Sequence, residues 1–274
     1  MTTPVHDDIA TLFCLKGAFA LVTGGASKLG YDASAILAAA GANVAVTSRD
    51  PDKARDAAAR LADAYGVETL GLPLDHTLMD SVTGAVDAMA RWSDGRIDIL
   101  VNNGGGGSGR STARLFERDP ADIDAMIRTN LVGPIYCCRE AGRLMARRRA
   151  GRIVNIASVA AHVGRDRAVY DRNGLAGQPV DYAAAKAGIL GLTRDLAAYL
   201  APQGIRVNAI SPGGFERSDM PEGFVADYSR LTALGRMGRD GLDLKGAVLF
   251  LASEASGYVT GQELIVDGGF TMWR

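Results

Sequence analysis

A tyrosine and a lysine one helical turn apart are the residues of this chain whose types and spacing most readily suggest chemistry. Tyr182 and Lys186 are at positions i and i+4, so on a helix both side chains project from the same face. A free phenol has a pKa of about 10, too high for acid–base catalysis near neutrality, but a nearby cation lowers that pKa. The pair is therefore a candidate proton-transfer device, although the same spacing is also typical of an ordinary surface pair.

The elements that must position this pair alternate between strand and helix. Apolar runs without polar alternation, typical of parallel strands covered on both faces, predict seven strands at residues 18–23, 43–48, 67–74, 97–102, 152–158, 205–211 and 263–267. Helices are predicted between them at residues 29–40, 52–65, 79–93, 120–147, 181–201 and 242–253. This alternation predicts one α/β domain over residues 1–274, a doubly wound Rossmann fold with a seven-stranded parallel sheet and helices on both faces.

Composition limits the classes of protein to which the chain can belong. A net charge of −1 over 274 residues gives no basic field for nucleic acid or an anionic membrane. No stretch of sequence is long and apolar enough to predict a membrane span or a signal peptide. The three cysteines, an odd number without metal-ligand spacing, are typical of a reduced protein, and a cytoplasmic location is expected.

A glycine-containing turn, Thr23–Gly30, follows the first predicted strand. Glycine at Gly24 and Gly30 would let the backbone approach a pyrophosphate, which then rests on the N–H groups and positive dipole of the next helix. The same glycines could serve only to pack a helix on a sheet, but the strand–helix–strand context favours a dinucleotide. Lys28 occupies the middle of the turn, where its side chain either crowds the loop or helps to neutralise phosphates. We favour the second interpretation.

The end of the second predicted strand distinguishes between dinucleotides. An acidic residue there binds the ribose 2′-hydroxyl of NAD, whereas an arginine accommodates the 2′-phosphate of NADP. This chain has Ser48 and Arg49 at that point, and Asp50 with Pro51 is interpreted as the start of the next helix. NADP(H) is therefore predicted. NAD stays possible if Arg49 only lies on the surface.

Together these features resemble the short-chain dehydrogenase/reductase family of the Tyr-xxx-Lys type, over nearly all of residues 17–270. Ser158 resembles the family's catalytic serine, and Asn130 matches the asparagine that completes a catalytic set with Tyr182 and Lys186. No metal is implied, since the histidines are too scattered for a ligand set. The cofactor-binding residues that the resemblance implies, besides Tyr182 and Lys186, are Gly24, Ser27, Lys28, Leu29, Gly30, Ser48, Arg49, Asp75, His76, Asn102, Gly104, Pro212 and Gly213.

The resemblance also implies a mechanism and an assembly. Tyr182 as phenolate would take the proton of an alcohol while hydride passes to the nicotinamide, or the reverse in reduction. Lys186 would lower the pKa of Tyr182 and bind the nicotinamide ribose, and Ser158 would hydrogen-bond the substrate oxygen. Asn130 would hold a water that links Lys186 to solvent. A homotetramer is implied through the helices at 120–147 and 181–201, with Cys137 and Cys138 packed within or beside that interface.

The chain departs from the family in the segment between two catalytic residues. Ser158 and Tyr182 are 24 residues apart, about twice the usual spacing, because of an inserted loop near residues 160–180. Three arginines and two aspartates lie between residues 164 and 177. A segment that joins two catalytic residues must lie near the substrate entrance. Its arginines could bind a carboxylate or several hydroxyls, or they could belong to a solvated surface loop.

The substrate class follows from a weaker resemblance. The insertion, with residues 211–215 and 234–238, looks most like the branch of gluconate 5-dehydrogenase-like enzymes of sugar and sugar-acid metabolism. A substrate lid is predicted near residues 214–240, and its acidic and aromatic residues suit a small polar ligand. We therefore expect an NADP(H)-dependent oxidoreductase for a secondary alcohol or ketone of a polyhydroxy compound such as a sugar acid. The alternatives are a 3-oxoacyl thioester reductase and a nucleotide-sensing protein without turnover.

Overall fold

A parallel sheet between two layers of helices forms the centre of the computed structural model, which describes residues 6–106 and 112–273. The strands are β1 (Phe19–Thr23), β2 (Asn43–Ser48), β3 (Thr69–Pro73), β4 (Ile99–Asn102), β5 (Gly151–Ile156), β6 (Ile205–Pro212), β7 (Phe215–Glu216), β8 (Gly238–Arg239) and β9 (Glu263–Val266). The helices are α1 (Asp7–Phe13), α2 (Lys28–Ala39), α3 (Pro51–Tyr65), α4 (Met79–Trp92), α5 (Pro120–Ile127), α6 (Gly133–Arg148), α7 (Arg167–Asp171), α8 (Val180–Leu200), α9 (Glu222–Arg230) and α10 (Lys245–Ala252).

The order of the strands creates the crevice in which a ligand can bind. Seven strands pair in parallel in the order β3-β2-β1-β4-β5-β6-β9, while β7 and β8 form a separate two-stranded pair. The chain runs outward in one direction from β1 and in the other direction from β4. Ligands bind outside the carboxyl ends of the strands at such a switch point. The predicted seven-stranded Rossmann sheet is confirmed.

The two faces of the sheet are covered by different helices. Ala20 and Val22 of β1 pack with α2, α3 and α10, whereas Leu21 between them packs with α4, α6 and α8. Successive side chains of a strand point to opposite faces, so a strand covered on both sides must be apolar throughout. This requirement explains why the strands read as unbroken apolar runs. Each helix of the described region is too short or too polar to cross a membrane.

The helical region predicted over residues 120–147 contains a π-helical turn. A π-helical turn at Arg128–Val132 separates α5 from α6 and carries Asn130. The Nδ2 of Asn130 donates to the backbone oxygen of Met126 at 3.1 Å and so competes with the backbone ladder, as asparagine side chains do. Such π turns often occur at functional sites. The predicted helical region over residues 120–147 is confirmed, and the π turn lies inside it.

Two neighbouring cysteines of α6 face the sheet. Cys137 and Cys138 are buried in the chain's own core, between α6 and the sheet, with exposures of 2% and 4%. They face the interior of this chain, and packing beside a subunit interface stays a prediction. Burial raises the pKa of the Cys138 thiol to about 12, which keeps it protonated and inert.

The inserted segment is more structured than the predicted loop. It contains α7, whose first turn is capped by Asp166, and Val169 of this helix is 3% exposed. Val169 packs in a small apolar cluster with Phe224 and Tyr228 of α9. The insertion and the predicted lid are therefore packed against each other.

Candidate active site

Tyr182 and Lys186 lie on the first turns of α8 and face the carboxyl end of β5. Lys186 is buried, and its Nζ donates to the backbone oxygen of Ile156 at 2.7 Å. The same Nζ is 5.8 Å from the centroid of the Tyr182 ring, so the predicted pairing on one helix face is confirmed. Burial lowers the pKa of Lys186 to about 8. This lysine can therefore exchange its proton close to neutral pH.

The acidity of Tyr182 differs from the sequence-based expectation. Burial raises the pKa of Tyr182 above its ordinary value, and a hydrogen bond with Ser158 and the positive charge of Arg165 act in the opposite direction without outweighing it. The loss of hydration around the phenol is the largest effect. A lowering of this pKa by Lys186 stays a prediction, and the cation that acts against the effect of burial is Arg165 of the inserted segment.

Ser158 meets Tyr182 despite the long segment between them. It follows β5 in an extended conformation, and its Oγ accepts a hydrogen bond from the backbone N–H of Ala160 at 3.2 Å. That contact begins a short 3₁₀ turn and fixes the hydroxyl on the side of Tyr182. A serine hydroxyl beside a phenol can donate to a substrate oxygen while the phenol exchanges a proton with it.

Asn130 is placed behind this pair by the π turn. It is fully buried, and its Oδ1 accepts from the backbone N–H of Gly106 at 2.7 Å. A Cβ atom added at Gly105 would lie 2.7 Å from Asn130 Oδ1 and 3.7 Å from Lys186 Nζ. Asn130 and Lys186 thus converge on the same glycine loop. The structure brings the four predicted catalytic residues together at the ends of β4 and β5.

The glycine turn has the backbone geometry that its sequence predicts, with one strained residue. A Cβ atom at Gly30 would lie 2.2 Å from the backbone oxygen of Gly24, so only glycine fits there. Lys28 has a φ of 52°, in the left-handed region that disfavours residues with a side chain. Its side chain is exposed. Lysine therefore stands in a conformation suited to glycine, and strain of this kind clusters at functional sites.

The turn and the start of α2 fit the phosphates of a dinucleotide. Ser27 is the N-cap residue of α2 but makes no capping hydrogen bond through its side chain. The backbone N–H groups of Lys28, Leu29 and Gly30 have no hydrogen-bond partner in residues 6–106 and 112–273. Free donors at a helix N-terminus beside a glycine turn form a site for anionic oxygens.

Two residues of opposite charge follow β2: Arg49 is exposed, and the carboxylate of Asp50 caps the next helix. The Oδ1 of Asp50 accepts from the backbone N–H groups of Asp52 at 3.0 Å and Lys53 at 3.3 Å, and Pro51 is the first residue of α3. The interpretation of Asp50 and Pro51 as a helix start is confirmed. Arg49, after Ser48 of β2, is exposed. It is therefore the guanidinium closest in sequence to the strand end.

Asp75 and His76 lie beside this strand end. Burial raises the pKa of Asp75, but hydrogen bonds from Thr77 and a smaller effect of Arg49 lower it more. The Nε2 of His76 is 2.9 Å from the backbone oxygen of Thr129, and burial lowers the pKa of this imidazole. The ring connects the loop after β3 to the π turn. Its role in this structure is to hold these two segments together, and a cofactor contact stays a prediction.

Two adjacent asparagines at the end of β4 have different partners. The Nδ2 of Asn102 donates to Asn155 Oδ1 at 2.9 Å inside the core, so its side chain points away from the crevice. A cofactor contact of Asn102 stays a prediction for its backbone alone. Asn103, which sequence reasoning did not select, donates through Nδ2 to the backbone oxygens of Thr23 and Gly24, both at 3.2 Å. Asn103 holds the glycine turn on the end of β4.

The segment at the end of β6 is joined to two other elements. The backbone N–H of Gly213, after Pro212, donates to the oxygen of Val266 at 2.9 Å. The N–H of Gly214 donates to the hydroxyl of Tyr228 on α9 at 2.7 Å. The predicted contacts of Pro212 and Gly213 with the cofactor are not tested by these bonds. The bonds do show that the predicted lid is attached to this segment.

A buried ion pair beside Tyr182 is a second feature that sequence reasoning missed. Arg118 binds Asp181 through Nε and Nη2 at 2.8 Å each, and the two side chains are 0% and 4% exposed. The residues are far apart in sequence, so no local pattern indicates their pairing. The ion pair fixes the start of α8 one residue before Tyr182.

Comparisons with known proteins agree with this geometry. Residues 24–271 match the model of a family described as enoyl-(acyl carrier protein) reductase. A 3-oxoacyl-(acyl-carrier-protein) reductase of Aquifex aeolicus is 35% identical over 93% of this chain and 98% of its own length. A D-threitol dehydrogenase of Mycolicibacterium smegmatis is 35% identical over 95% of each chain. A solved gluconate 5-dehydrogenase from Burkholderia cenocepacia, in complex with NADP and tartrate, has a TM-score of 0.86 and 34% identity, with 97% of this chain and 100% of that chain covered.

These matches and the site define the class of protein. The chain belongs to the short-chain dehydrogenase/reductase family. It is an NAD(P)-dependent oxidoreductase that acts on an alcohol or a ketone.

Proposed function

We propose that this enzyme transfers hydride between NADP(H) and a secondary alcohol or ketone of a small polyhydroxy acid. The reaction class rests on one observation, the meeting of Ser158, Tyr182 and Lys186 at the end of β5. Tyr182 exchanges a proton with the substrate oxygen, and Ser158 donates a hydrogen bond to the same oxygen. Lys186 binds the nicotinamide ribose. Asn130 holds a water that links Lys186 to solvent. A nicotinamide bound at this edge supplies the hydride chemistry.

The choice of NADP over NAD is supported by charges around the cofactor crevice. Arg49 is exposed at the end of β2, and the nearest carboxylate in sequence, Asp50, is occupied in capping α3. A guanidinium in this position suits a 2′-phosphate. The gluconate 5-dehydrogenase that the chain resembles was solved with NADP, and a 3-quinuclidinone reductase from Rhodotorula rubra, 28% identical, is NADPH-dependent.

A polar substrate is supported by the residues of the predicted lid. They line an open cavity of about 350 Å³, whose lining does not include Ser158, Tyr182 or Lys186. Four of its seven lining residues are polar or charged, namely Glu216, Arg217, Ser218 and Glu222. Such a lining suits hydroxyl groups better than a long acyl chain. Two of the similar proteins are named for polyhydroxy substrates, D-threitol and gluconate.

The second candidate function is reduction of a 3-oxoacyl thioester. It is favoured by the similarity to 3-oxoacyl-(acyl-carrier-protein) reductases at 35% identity. The polar residues of the predicted lid and the long insertion between Ser158 and Tyr182 argue against it. A protein that only senses nucleotides is disfavoured because it has no need of a proton-transfer set.

We also propose that the enzyme is a homotetramer. Large apolar side chains are exposed on the two helices that the family resemblance assigns to the interface, Ile135 on α6 at 39% and Tyr199 on α8 at 69%. Exposed apolar patches on long helices are typical of subunit contacts. Light scattering on the purified protein tests this proposal, and a monomer at micromolar concentration contradicts it.

A spectrophotometric assay tests the proposed reaction. NADP⁺ and NAD⁺ are each combined with D-gluconate, free sugars and neutral polyols, and reduced cofactor is followed at 340 nm. The reverse direction is measured with a 3-oxoacyl thioester. We expect turnover of a sugar acid with preference for NADP⁺. Preference for NAD⁺ with the same substrate would contradict the role of Arg49, and turnover of the thioester alone would contradict the substrate class.

A further inference from the structure

An arginine of the inserted segment lies directly over the catalytic tyrosine. The Cζ of Arg165 is 6.0 Å from the centroid of the Tyr182 ring. Its Nη2 donates to the backbone oxygen of Pro179 at 3.1 Å, which fixes the guanidinium next to the start of α8. Its Nε and Nη1 have no hydrogen-bond partner among the residues that the structure describes. The side chain is held in place and still has donors to offer.

A second guanidinium stands beside the first without a neutralising carboxylate. Arg167 donates through Nη1 to the backbone oxygen of Gln178 at 2.7 Å. Within the described part of the chain, neither Arg165 nor Arg167 forms an ion pair with a carboxylate. Asp166, between them, uses a carboxylate oxygen to cap α7 through the N–H of Ala168. Two neighbouring cations therefore rest on neutral carbonyl groups.

The third arginine of the insertion shows the contrast. Arg172 forms an ion pair with Asp227 of α9, at 2.5 Å from Nε to Oδ2, and Asp227 also contacts Arg230. The segment thus neutralises the arginine that faces the lid and leaves Arg165, over the Tyr182 ring, and its neighbour Arg167 without a carboxylate among the described residues. Burial lowers the pKa of Arg165, and the charge of Arg167 lowers it further. This arrangement is unfavourable by itself and becomes favourable when an anion joins it.

We propose that Arg165 binds a carboxylate of the substrate while Tyr182 engages the hydroxyl that is oxidised. Arg167 adds a second positive charge on the outer side. Nη2 carries two N–H groups, and Pro179 takes only one of them. The other lies beside either Nε or Nη1 and forms with it a two-donor edge that matches the two oxygens of a carboxylate; such bidentate pairs are among the strongest hydrogen bonds in proteins. Because Arg165 lies against the tyrosine ring, the acid group and the reacting carbon are separated by only a few bonds. This inference rests on the proposed function and narrows its substrate to a short hydroxy acid.

An alternative role for Arg165 predicts a different experimental result. If its charge only adjusts the acidity of Tyr182, removal of the charge slows every substrate to the same extent and displaces the pH–rate profile. If it binds a carboxylate, removal slows acidic substrates alone. A matched pair of substrates, one acidic and one neutral, separates the two roles.

Steady-state kinetics with D-gluconate and the neutral polyol D-glucitol provide this test. Arg165→Met is expected to lower kcat/KM for gluconate about 100-fold, mostly through KM, and to lower kcat/KM for glucitol less than about fivefold. Arg165→Lys is expected to recover part of the loss, since it restores the charge without the fork. Arg172→Met removes an equal charge from the same segment and is expected to affect both substrates alike. Equal losses for both substrates in Arg165→Met would overturn the proposal.

Calorimetric titration gives a readout that does not depend on turnover. Gluconate is titrated into the wild type and into Arg165→Met, each saturated with NADP⁺. Weaker binding to the variant by about 100-fold supports the proposal even if gluconate is not the physiological substrate. Equal binding to both proteins overturns it, even if gluconate is turned over. Absence of binding to the wild type overturns this inference together with the acidic substrate of the proposed function.

Discussion

The cofactor side and the substrate side of this active site are held by different kinds of contact. On the cofactor side, the glycine turn is fixed by short polar groups at strand ends, such as Thr47 Oγ1 on the N–H of Gly24 and Asn103 on two backbone oxygens. On the substrate side, side chains tie the insertion to α9, through the ion pair of Arg172 with Asp227 and the apolar contact of Val169 with Phe224. The first arrangement depends on backbone geometry and the second on contacts between side chains. The substrate side can therefore change its specificity without disturbing the sheet.

Removal of the phenol hydroxyl should separate chemistry from cofactor binding most strongly. Tyr182→Phe is expected to lower kcat about 1,000-fold, because general acid–base groups contribute factors of this size. The dissociation constant of NADP⁺, measured by fluorescence titration, should change less than about twofold. Tyr65→Phe, an exposed tyrosine at the end of α3 and outside the two helices of the proposed subunit contact, is the control. Substantial turnover in Tyr182→Phe would show that another group exchanges the proton.

Loss of the buried ion pair between Arg118 and Asp181 should lower the free energy of unfolding. Arg118→Met leaves Asp181 as an unpaired buried carboxylate and is expected to cost about 3–5 kcal/mol in the free energy of unfolding. Equilibrium urea denaturation measures this cost. Arg114→Met removes the exposed partner of Glu117 and should cost less than about 0.5 kcal/mol. A cost below about 1 kcal/mol for Arg118→Met would mean that water reaches Asp181.

The buried lysine at the site, Lys186, should destabilise the folded state. The pKa of Lys186 is lowered from 10.5 to about 8, so its protonated form favours the unfolded state fully below about pH 8, and this cost disappears as pH rises toward 10.5. Lys186→Met also loses the hydrogen bond to Ile156, and the net gain at pH 7 is expected to be about 2 kcal/mol. Urea denaturation at pH 7 and pH 10 should show the gain shrinking. A gain that grows with pH would contradict the assignment of burial as the cause.

The preference for NADP⁺ over NAD⁺ tests the role of Arg49, the charged side chain on the cofactor side. Arg49→Ala is expected to lower kcat/KM for NADP⁺ about 30-fold, the effect of a lost charge-assisted contact, and to leave kcat/KM for NAD⁺ within about threefold. Arg55→Ala, an exposed arginine of α3 paired with Asp52, is the matched control. Equal losses with both cofactors would show that Arg49 supports the fold and does not select the phosphate.

The smallest effect is expected at the strained position of the glycine turn. Lys28→Gly relieves a left-handed conformation and should raise the free energy of unfolding by about 0.5–1 kcal/mol, after the entropy that glycine gains in the unfolded chain. The dissociation constant of NADP⁺ should rise a few-fold because one cation is lost near the phosphates. Tighter binding of NADP⁺ to the variant would instead mean that the lysine side chain crowds the loop.

Sequence reasoning succeeded where local chemistry determines the structure. The apolar runs around Leu21 and Ala45 must be strands covered on both faces, and both lie in the centre of the sheet. The capping of α3 by Asp50 could also be predicted, because an acidic residue directly before a proline is typical of a helix N-cap. These features depend only on neighbours in the sequence.

Features that depend on distant partners could not be predicted. The π turn at Asn130 exists because a side chain competes with the helix backbone, and the pairing of Arg118 with Asp181 joins segments 63 residues apart. The raised pKa of Tyr182 depends on burial, which the spacing to Lys186 does not reveal. For the same reason the sequence indicated that arginines of the insertion lie near the entrance, but not that Arg165 is the one over the tyrosine ring.

The crystal structure of Tyr182→Phe with NADP⁺ and D-gluconate tests most directly that the insertion determines the substrate. Both carboxylate oxygens are expected within hydrogen-bond distance of Arg165. One hydroxyl of the ligand is expected to contact Ser158, and the 2′-phosphate of the cofactor is expected to lie against Arg49. A carboxylate bound by residues of α9, with Arg165 still directed only at Pro179, would contradict it.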